Sequence, residues 1–187
     1  MGQISLKHRE TPLVLFGTQG RPDDELAIRT VCRFSGMFDP RNVLLRIVHI
    51  LTVPMSAPLD VCLPDAEEAS TRILRRADAV ARAVGVAVRT ATLRGRTVAE
   101  ALVDDACRTR ANAIVVRLRN RETIGAHVLL SLTVRALLRD APYPVLLLHL
   151  AHGRMGGHVG KNAALISNNR FTRHMESSAG RLERTTV

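Results

Sequence analysis

The stretch Pro12-Leu-Val-Leu-Phe16-Gly-Thr-Gln-Gly20 is a short apolar run that ends in a turn bounded by glycines. A continuous apolar run of this length is typical of a strand buried on both faces of a sheet. Pro22-Asp-Asp-Glu25 follows the turn and predicts the start of a helix, because its acidic residues complement the positive end of the helix dipole. We expect that helix to close at Gly36 and Pro40. The segment therefore predicts a strand–turn–helix unit.

The same alternation of apolar runs and amphipathic stretches continues as far as residue 149. Four more apolar runs predict strands at 43–53, 86–93, 113–116 and 144–149. Three amphipathic stretches predict helices at 65–84, 97–110 and, roughly, 123–139. Helices that join parallel strands cover both faces of the sheet. The order therefore predicts an α/β fold, an open doubly wound sheet of five parallel strands with helices on both faces.

Residues at the predicted helix ends support this assignment. Asp65 is expected to cap the 65–84 helix, and Gly85 stands where a C-terminal glycine belongs. Thr97 and Glu100 form a capping box, in which each side chain satisfies a backbone donor at the start of the next helix.

The length and composition suit one domain of ordinary size. The chain has 187 residues, a formal net charge of +10, 46% hydrophobic residues and 3% aromatic residues. We place the domain at residues 11–150, after a short extension at 1–10. Residues 151–187 lose the periodicity and are rich in Gly, Ser, Asn, Arg and His. We expect them to form a basic, disordered tail, in which Ala163-Ala-Leu-Ile166 is apolar enough to dock.

The three cysteines, Cys32, Cys62 and Cys107, are widely spaced and form neither a Cys-x-x-Cys motif nor a zinc-binding set. We interpret them as buried or inert thiols in a reducing compartment. No apolar run approaches the ~18 residues of a membrane span, and the N-terminus lacks the apolar core of a secretory leader. The expected location is the cytoplasm.

Candidate binding residues follow the first and fourth predicted strands, since ligands of an open parallel sheet bind beyond the carboxyl ends of its strands. The two loops carry Gly17, Thr18, Gly20 and Arg21, and Arg117, Arg119, Asn120 and Arg121. Glycines before a helix start and clustered guanidinium groups both suit an anion such as phosphate. An ordinary tight turn and a solvated polar loop explain the same residues without a ligand.

Side chains typical of catalysis are not grouped in this sequence. No Ser/His/Asp set, paired carboxylates or metal-ligand spacing is recognisable, so that neither enzyme activity nor a metal is predicted. His127 falls in the predicted 123–139 helix and is interpreted as a core or boundary histidine.

The segment from Thr11 to His149 resembles a universal stress protein domain. The similar stretches are Leu45-Arg-Ile-Val-His49-Ile50, Gly85-Val-Ala-Val, Ala111-Asn-Ala-Ile-Val-Val116 and Leu137-Leu-Arg-Asp-Ala-Pro-Tyr-Pro-Val145. The resemblance implies a nucleotide-binding fold of the adenine nucleotide alpha hydrolase-like type and a role in the stress response. It also implies a homodimer that forms through the last strand, Pro144 to His149.

This chain departs from the family at the ATP site. ATP-binding members carry Gly-x2-Gly-x9-Gly-Ser/Thr after the fourth strand, so that bare backbone wraps the phosphates. Here the three glycine positions hold Arg117, Asn120 and Leu130, and Ser131 fills the Ser/Thr position. Ser131 also suits the N-cap of the last helix. The aspartate that ends the first strand in the family is replaced within Phe16-Gly-Thr18. We therefore expect neither ATP nor another cofactor in the usual pose.

Four hypotheses about function follow. The first is a regulatory or binding module with a degenerate ATP site. The second is an altered site that holds another nucleotide or inorganic phosphate on the two loops named above. The third is a nonspecific binder of nucleic acid or another polyanion, through its arginines and basic tail. The fourth is a domain similar to the cytoplasmic stress-protein-like domains that are attached to transporters, detached in this chain.

Overall fold

A computed structural model describes residues 12–38, 43–118, 123–124, 127–128, 131–150 and 163–167. Within these residues the strands are β1 (Leu13–Thr18), β2 (Leu44–Thr52), β3 (Val88–Gly95), β4 (Ala113–Arg117), β5 (Thr123–Ile124), β6 (His127–Val128), β7 (Val145–Leu150) and β8 (Ala163–Ser167). The helices are α1 (Asp24–Phe38), α2 (Pro64–Ala83), α3 (Val98–Thr109) and α4 (Leu132–Asp140).

The main sheet has the strand order β3-β2-β1-β4-β7-β8. The first five of these strands are mutually parallel, which confirms the predicted doubly wound sheet. β1 lies at the centre, where Phe16 is paired with Ile47 of β2 on one side and with Val115 of β4 on the other. The chain builds outward in one direction through β2 and β3 and in the other through β4 and β7. The strand order therefore reverses between β1 and β4.

Each face of the sheet is covered by two helices. Phe16, which is fully buried, belongs to the core that α1 and α2 cover, and its equally buried neighbour Leu15 belongs to the core under α3 and α4. Successive side chains of a strand point to opposite faces. A continuous apolar strand therefore supplies both cores at once, which is why β1, β4 and β7 lack an apolar–polar alternation.

Two helix ends agree with the sequence prediction and one does not. Gly85 has a φ of 77° and follows the last turn of α2, where its N–H donates to the carbonyl of Arg82 over 2.9 Å. Thr97 caps α3 by accepting the N–H of Glu100 over 3.1 Å. The prediction that Asp65 caps α2 is wrong. The helix begins one residue earlier, because Pro64 has the fixed φ that suits a first helical position.

The boundaries of two other elements also need correction. α1 does not close at Gly36 but continues to Phe38, since a helical glycine costs only about 1 kcal/mol. β3 begins at Val88 rather than at residue 86, because the N–H of Val86 donates to the carbonyl of Ala81 and so belongs to the end of α2.

The predicted 123–139 helix is wrong in its first half. Residues Thr123–Ile124 and His127–Val128 form a short antiparallel pair, and α4 begins only at Leu132. β-branched residues favour this extended backbone. Ser131 then starts the helix by accepting the N–H of Val134 over 3.3 Å. His127 therefore lies in a strand and not in a helix.

The sheet continues beyond its five parallel strands. Ala163–Ser167, part of the expected disordered tail, is a strand that pairs antiparallel with β7. The tail prediction is corrected for these five residues, and the rest of 151–187 lies outside the described residues.

The edge from Pro144 to His149, which was expected to join two copies, is paired within the chain. The physical reason is that an uncovered edge strand offers unpaired backbone groups to any available strand.

The cysteines are free thiols in different environments. Cys32 is buried in α1, and burial raises the pKa of its thiol to about 11. Cys62 and Cys107 are exposed, so that the interpretation as a buried thiol is confirmed for Cys32 alone. Among the helices described here, none is long and apolar enough to cross a membrane.

Candidate functional site

A cleft of about 130 Å³ opens at the carboxyl ends of β1 and β4, where the strand order reverses. It is bounded by Gly17 and Thr18 of β1, Arg117 of β4 and Ser131 at the start of α4. Sites of drug-sized ligands usually enclose about 300–1,000 Å³. The cleft lies where a doubly wound sheet binds its ligands, but it is small for one.

Asp24, in the first turn of α1, organises the turn that follows β1. Its Oδ2 accepts hydrogen bonds from the hydroxyl of Thr18 (2.7 Å), the N–H of Gln19 (2.9 Å) and the N–H of Arg21 (3.0 Å). Only 5% of Asp24 is exposed. The backbone donors of this turn, which the sequence suggested for an external anion, are therefore used by a carboxylate of the chain itself.

Arg117 completes this arrangement from the other strand. Its Nε donates to Oδ1 of Asp24 over 3.1 Å, and its Nη1 donates to Asp23. The side chain of Arg117 is 8% exposed and that of Asp24 is 7% exposed. The guanidinium thus lies inside the protein between two carboxylates, and its charge is balanced by residues of α1 rather than left for a ligand.

The structure divides the candidate residues between two clefts. Gly17, Thr18, Arg117 and Ser131 line the cleft at the strand ends. Gly20 and Arg21 border a separate cleft of about 180 Å³ between α1 and α2, which Thr18 also reaches. The side chain of Arg21 is 54% exposed and stands 3.9 Å from Asp23. Arg119, Asn120, Arg121 and Leu130 lie outside the described residues.

Ser131 has the structural role that its position suggested. Its hydroxyl accepts the N–H of Val134 and so caps α4. The interpretation of Ser131 as an N-cap is confirmed, while its prediction as a ligand contact stays a prediction.

Asp23 and Asp24 are the site residues that sequence reasoning missed. The sequence showed them only as acids in a first helical turn. The signal that would have found them is the charge match between this acidic pair and an arginine at the end of β4, because the fold brings the two loops to the same end of the sheet.

A second set of polar side chains lies beside the cleft. It includes His49, the residue of β2 that pairs with Thr18. Nδ1 of His49 lies 3.0 Å from the hydroxyl of Ser70, which lies 2.7 Å from the hydroxyl of Thr92. Burial lowers the pKa of His49, and the nearby charge of Asp24 acts in the opposite direction. Ser70 has no exposed surface, so that no substrate can reach its hydroxyl.

In the described residues, no group of three His, Cys, Asp or Glu side chains is arranged to hold a metal ion.

Gly20→Ala is expected to destabilise the protein more than Gly85→Ala. Both glycines have positive φ, 70° and 77°, so that alanine costs about 1 kcal/mol at either position. A Cβ at Gly20 would also overlap Cδ1 and Cγ1 of Ile73, whereas no atom of the described residues comes within 4 Å of one at Gly85. We expect losses in the free energy of unfolding of about 2–3 kcal/mol for Gly20→Ala and about 1 kcal/mol for Gly85→Ala. Urea unfolding of both variants measures the difference, and equal losses would contradict the close contact with Ile73.

Solved structures with the same architecture come from Archaeoglobus fulgidus and Arabidopsis thaliana. A universal stress protein from Archaeoglobus fulgidus superposes with a TM-score of 0.57 at 20% identity, covering 73% of this chain and 97% of that one. A structure of the universal stress protein from A. fulgidus in complex with dAMP gives 0.55 at 19% identity, with 73% and 96% covered. A universal stress protein family protein from Arabidopsis thaliana with AMP bound gives 0.52 at 12% identity, with 81% and 99% covered. At these identities the likeness concerns the fold.

The sequence itself identifies the family. No curated protein matches this chain. Residues 13–149 match the Universal stress protein family, and this range spans β1 to β7, including the cleft at the strand ends. On that match, and in agreement with its doubly wound fold, the chain belongs to the universal stress protein family.

Proposed function

We propose that this chain is a regulatory or binding module of the stress response that does not bind ATP in the usual way of its family and catalyses no reaction. The observation that carries the proposal is the buried contact between Arg117 and Asp24 at the strand ends. This contact occupies the region in which a polyphosphate would have to meet bare backbone.

Electrostatics support this proposal. A phosphate at the turn after β1 would need the N–H groups of Gln19 and Arg21, and both already donate to Asp24. It would also approach two carboxylates, Asp23 and Asp24, and like charges repel strongly where water is excluded. Arg117 already donates to both of these carboxylates, so that its charge is balanced within the protein.

The small volume of the cleft also argues against binding of ATP. About 130 Å³ of space is less than a nucleotide-sized ligand normally fills. A movement of Arg117 to enlarge the cleft would leave the buried Asp24 without its counter-charge.

We expect no saturable binding of ATP in isothermal titration calorimetry at nucleotide concentrations up to about 1 mM, where the binding free energy is only about −4 kcal/mol. AMP, dAMP, cAMP and inorganic phosphate complete the panel. The A. fulgidus protein with dAMP is the positive control, since a complex of that pair has been solved. Micromolar binding of ATP would contradict the proposal. Binding of phosphate or another nucleotide that Arg119→Ala abolishes would instead favour an altered anion site.

Exposed arginines support a second candidate function, the binding of a polyanion. In the part of the chain described here, no carboxylate pairs with the exposed residues Arg33, Arg75, Arg89, Arg110 and Arg135. Such charges bind nucleic acid without sequence preference and with a steep dependence on salt. Fluorescence anisotropy with a labelled oligonucleotide at increasing salt tests this candidate, and deletion of residues 152–187 should weaken the binding further.

We propose the cytoplasm as the location, because the three cysteines are free thiols.

A further inference from the structure

The charged residues of the helices are divided between the two ends of the sheet. Each helix that joins two parallel strands runs back from their carboxyl ends to their amino ends. Three helices carry acids in the first turn and three carry an arginine in the last turn, which suits the helix dipole. The acids are Asp24, Glu25, Asp65, Glu67 and Glu100, and the arginines are Arg82, Arg108 and Arg139. The acids therefore lie at the end of the sheet with the cleft, and these arginines lie at the amino ends of the strands.

Three arginines at the carboxyl ends of the strands are already bound by the chain itself. Arg117 donates to two carboxylates of α1. Arg94 and Arg96 donate to backbone carbonyls of the loop that follows β2, over 3.2 Å to Leu59 and over 2.7 Å to Ala57. These three guanidinium groups therefore offer little charge to an external anion at this end of the sheet.

Two further arginines lie at the amino ends of the strands. Arg89 is the second residue of β3 and Arg110 is the C-cap of α3, and both are exposed. Arg82, Arg108 and Arg139 each have an aspartate partner. In the described part of the chain, no carboxylate pairs with Arg89 or Arg110. Two of these five arginines thus keep a charge that no described carboxylate balances.

Arg110 has a backbone conformation that residues with a side chain rarely adopt. Its φ is 53° and its ψ is 46°, which lies in the left-handed region. At the end of α2 the same region is occupied by Gly85, which adopts it without steric strain. Arg110 is the only residue other than glycine with a positive φ in the described ranges. Strain that a glycine would remove is typical of positions at which the side chain has a function.

The spacing of Arg89 and Arg110 suits the backbone of a nucleic acid duplex. The turn that carries Arg110 adjoins the first residue of β1, since Asn112 and Leu13 exchange two hydrogen bonds of 2.7 Å. β3 lies two strands away from β1, which corresponds to about 10 Å. The grooves of B-DNA are about 6–12 Å wide, so that phosphates on both sides of one groove are within reach of two arginine side chains.

An anionic membrane suits this surface less well than a duplex. Proteins that bind a lipid surface usually insert apolar side chains next to their basic residues. In the described residues, the exposed large apolar side chains lie in first helical turns or in the loop after β2, and all of these positions are at the carboxyl ends; they are Leu26, Met55, Leu59 and Leu132. The low aromatic content of 3% also disfavours stacking on the bases of a single strand.

We propose that the amino ends of the strands form the surface on which this chain binds the phosphate backbone of a nucleic acid duplex, with Arg89 and Arg110 as the main contacts. The surface lies at the opposite end of the sheet from the cleft. This inference rests on the second candidate function, the binding of a polyanion, and names its site and its partner.

The double variant Arg89→Gln/Arg110→Gly tests the proposal in the full-length chain. It should fold, because Arg89 is exposed and a glycine suits the φ of Arg110. Fluorescence anisotropy with a labelled DNA duplex of arbitrary sequence measures the affinity at several salt concentrations. Each phosphate contact contributes about 0.9 to the slope of log K against log[salt], so that we expect this slope to decrease by about 2. The affinity at about 50 mM salt should fall by on the order of 100-fold.

Arg72→Gln/Arg76→Gln is the matched control, because it removes the same number of charges. These side chains are 64% and 70% exposed and lie in the middle of α2, away from the amino ends of the strands. We expect the affinity of the control to fall by less than about threefold. Urea unfolding checks that both variants fold. If Arg89→Gln/Arg110→Gly does not, Arg89→Gln/Arg110→Asn replaces it, since asparagine also tolerates a positive φ.

Three results would contradict the proposal. If the unsubstituted chain does not bind the duplex at low salt, the second candidate function is refuted and this proposal with it. If the chain binds the duplex but both double variants lose affinity equally, the assigned surface alone is wrong. If the chain instead co-sediments with vesicles of phosphatidylglycerol and not with the duplex, the partner is a membrane and not a nucleic acid.

Discussion

Asp24→Ala is expected to lower the free energy of unfolding by about 3–5 kcal/mol, because it breaks a buried ion pair from one side. Arg117 would keep only Asp23 as a partner, and its side chain is 8% exposed. The hydroxyl of Thr18 and the N–H groups of Gln19 and Arg21 would lose their acceptor as well. Of these donors the Thr18 hydroxyl is buried, and a buried polar group left unsatisfied adds a penalty of about 1–3 kcal/mol.

Asp23→Ala is the matched control for this prediction. Asp23 is adjacent in sequence and binds the same guanidinium, but its side chain is 26% exposed, so that water can replace much of the lost contact. We expect a loss of about 1 kcal/mol, as for partly exposed ion pairs. Urea unfolding followed by circular dichroism measures both variants. Equal losses would contradict the central role of Asp24 in the turn.

A double-mutant cycle separates the ion pair from the other contacts of Asp24. Arg117→Met retains much of the side-chain volume and removes the charge. If the pair is coupled as the geometry indicates, the double variant Asp24→Ala/Arg117→Met should be more stable than the sum of the single losses predicts, by about 2 kcal/mol. Additive losses would show that the turn, and not the ion pair, depends on Asp24.

Asp105→Asn should give the second largest loss and should also change the response to acid. The side chain of Asp105 on α3 is 1% exposed, and Arg46 of β2 donates to it twice, over 2.8 and 3.1 Å. Burial by itself would raise the pKa of Asp105, but the hydrogen bonds and charges of Arg46 and Arg108 outweigh it and hold the pKa below its ordinary value of 3.8. At neutral pH we expect Asp105→Asn to cost about 3 kcal/mol, since Arg46 loses a buried counter-charge.

The acid response follows from the direction of this pKa shift. A carboxyl group whose pKa is lower in the folded protein stabilises the fold fully above the pKa of the unfolded chain. That contribution is lost as the pH falls through the folded value. Between pH 7 and about pH 3, the unsubstituted protein should therefore lose more stability than Asp105→Asn.

Asp140→Asn is the control for the acid experiment. Arg139 also lowers the pKa of Asp140, but this pair lies at the surface, where water screens it. The variant should follow the unsubstituted protein at every pH in urea unfolding. An Asp105→Asn variant with the same acid response as the other two proteins would refute the role assigned to Asp105.

The five parallel strands and the helix ends at Gly85 and Thr97 could be predicted because they depend on neighbours in the sequence. The apolar runs around Phe16 and Val115, the cap at Thr97 and the glycine turn at Gly85 all lie within a few residues of the structure they specify. The prediction of a helix over 123–139 was wrong because it, too, relied only on neighbours in the sequence. Its apolar spacing looked helical, but Ser131 starts the helix later and the residues before it pair as short strands.

The sequence by itself determined the family, the doubly wound order of the elements and the end of the sheet at which the cleft lies. Only the tertiary structure decided what the candidate residues do there. Arg117 and Asp24 are 93 residues apart, and β8 covers an edge that was expected to join two copies of the chain. The physical reason is that hydrophobic periodicity and helix capping act over a few residues, whereas the choice of an ionic or strand partner depends on which groups the folded chain brings within bonding distance.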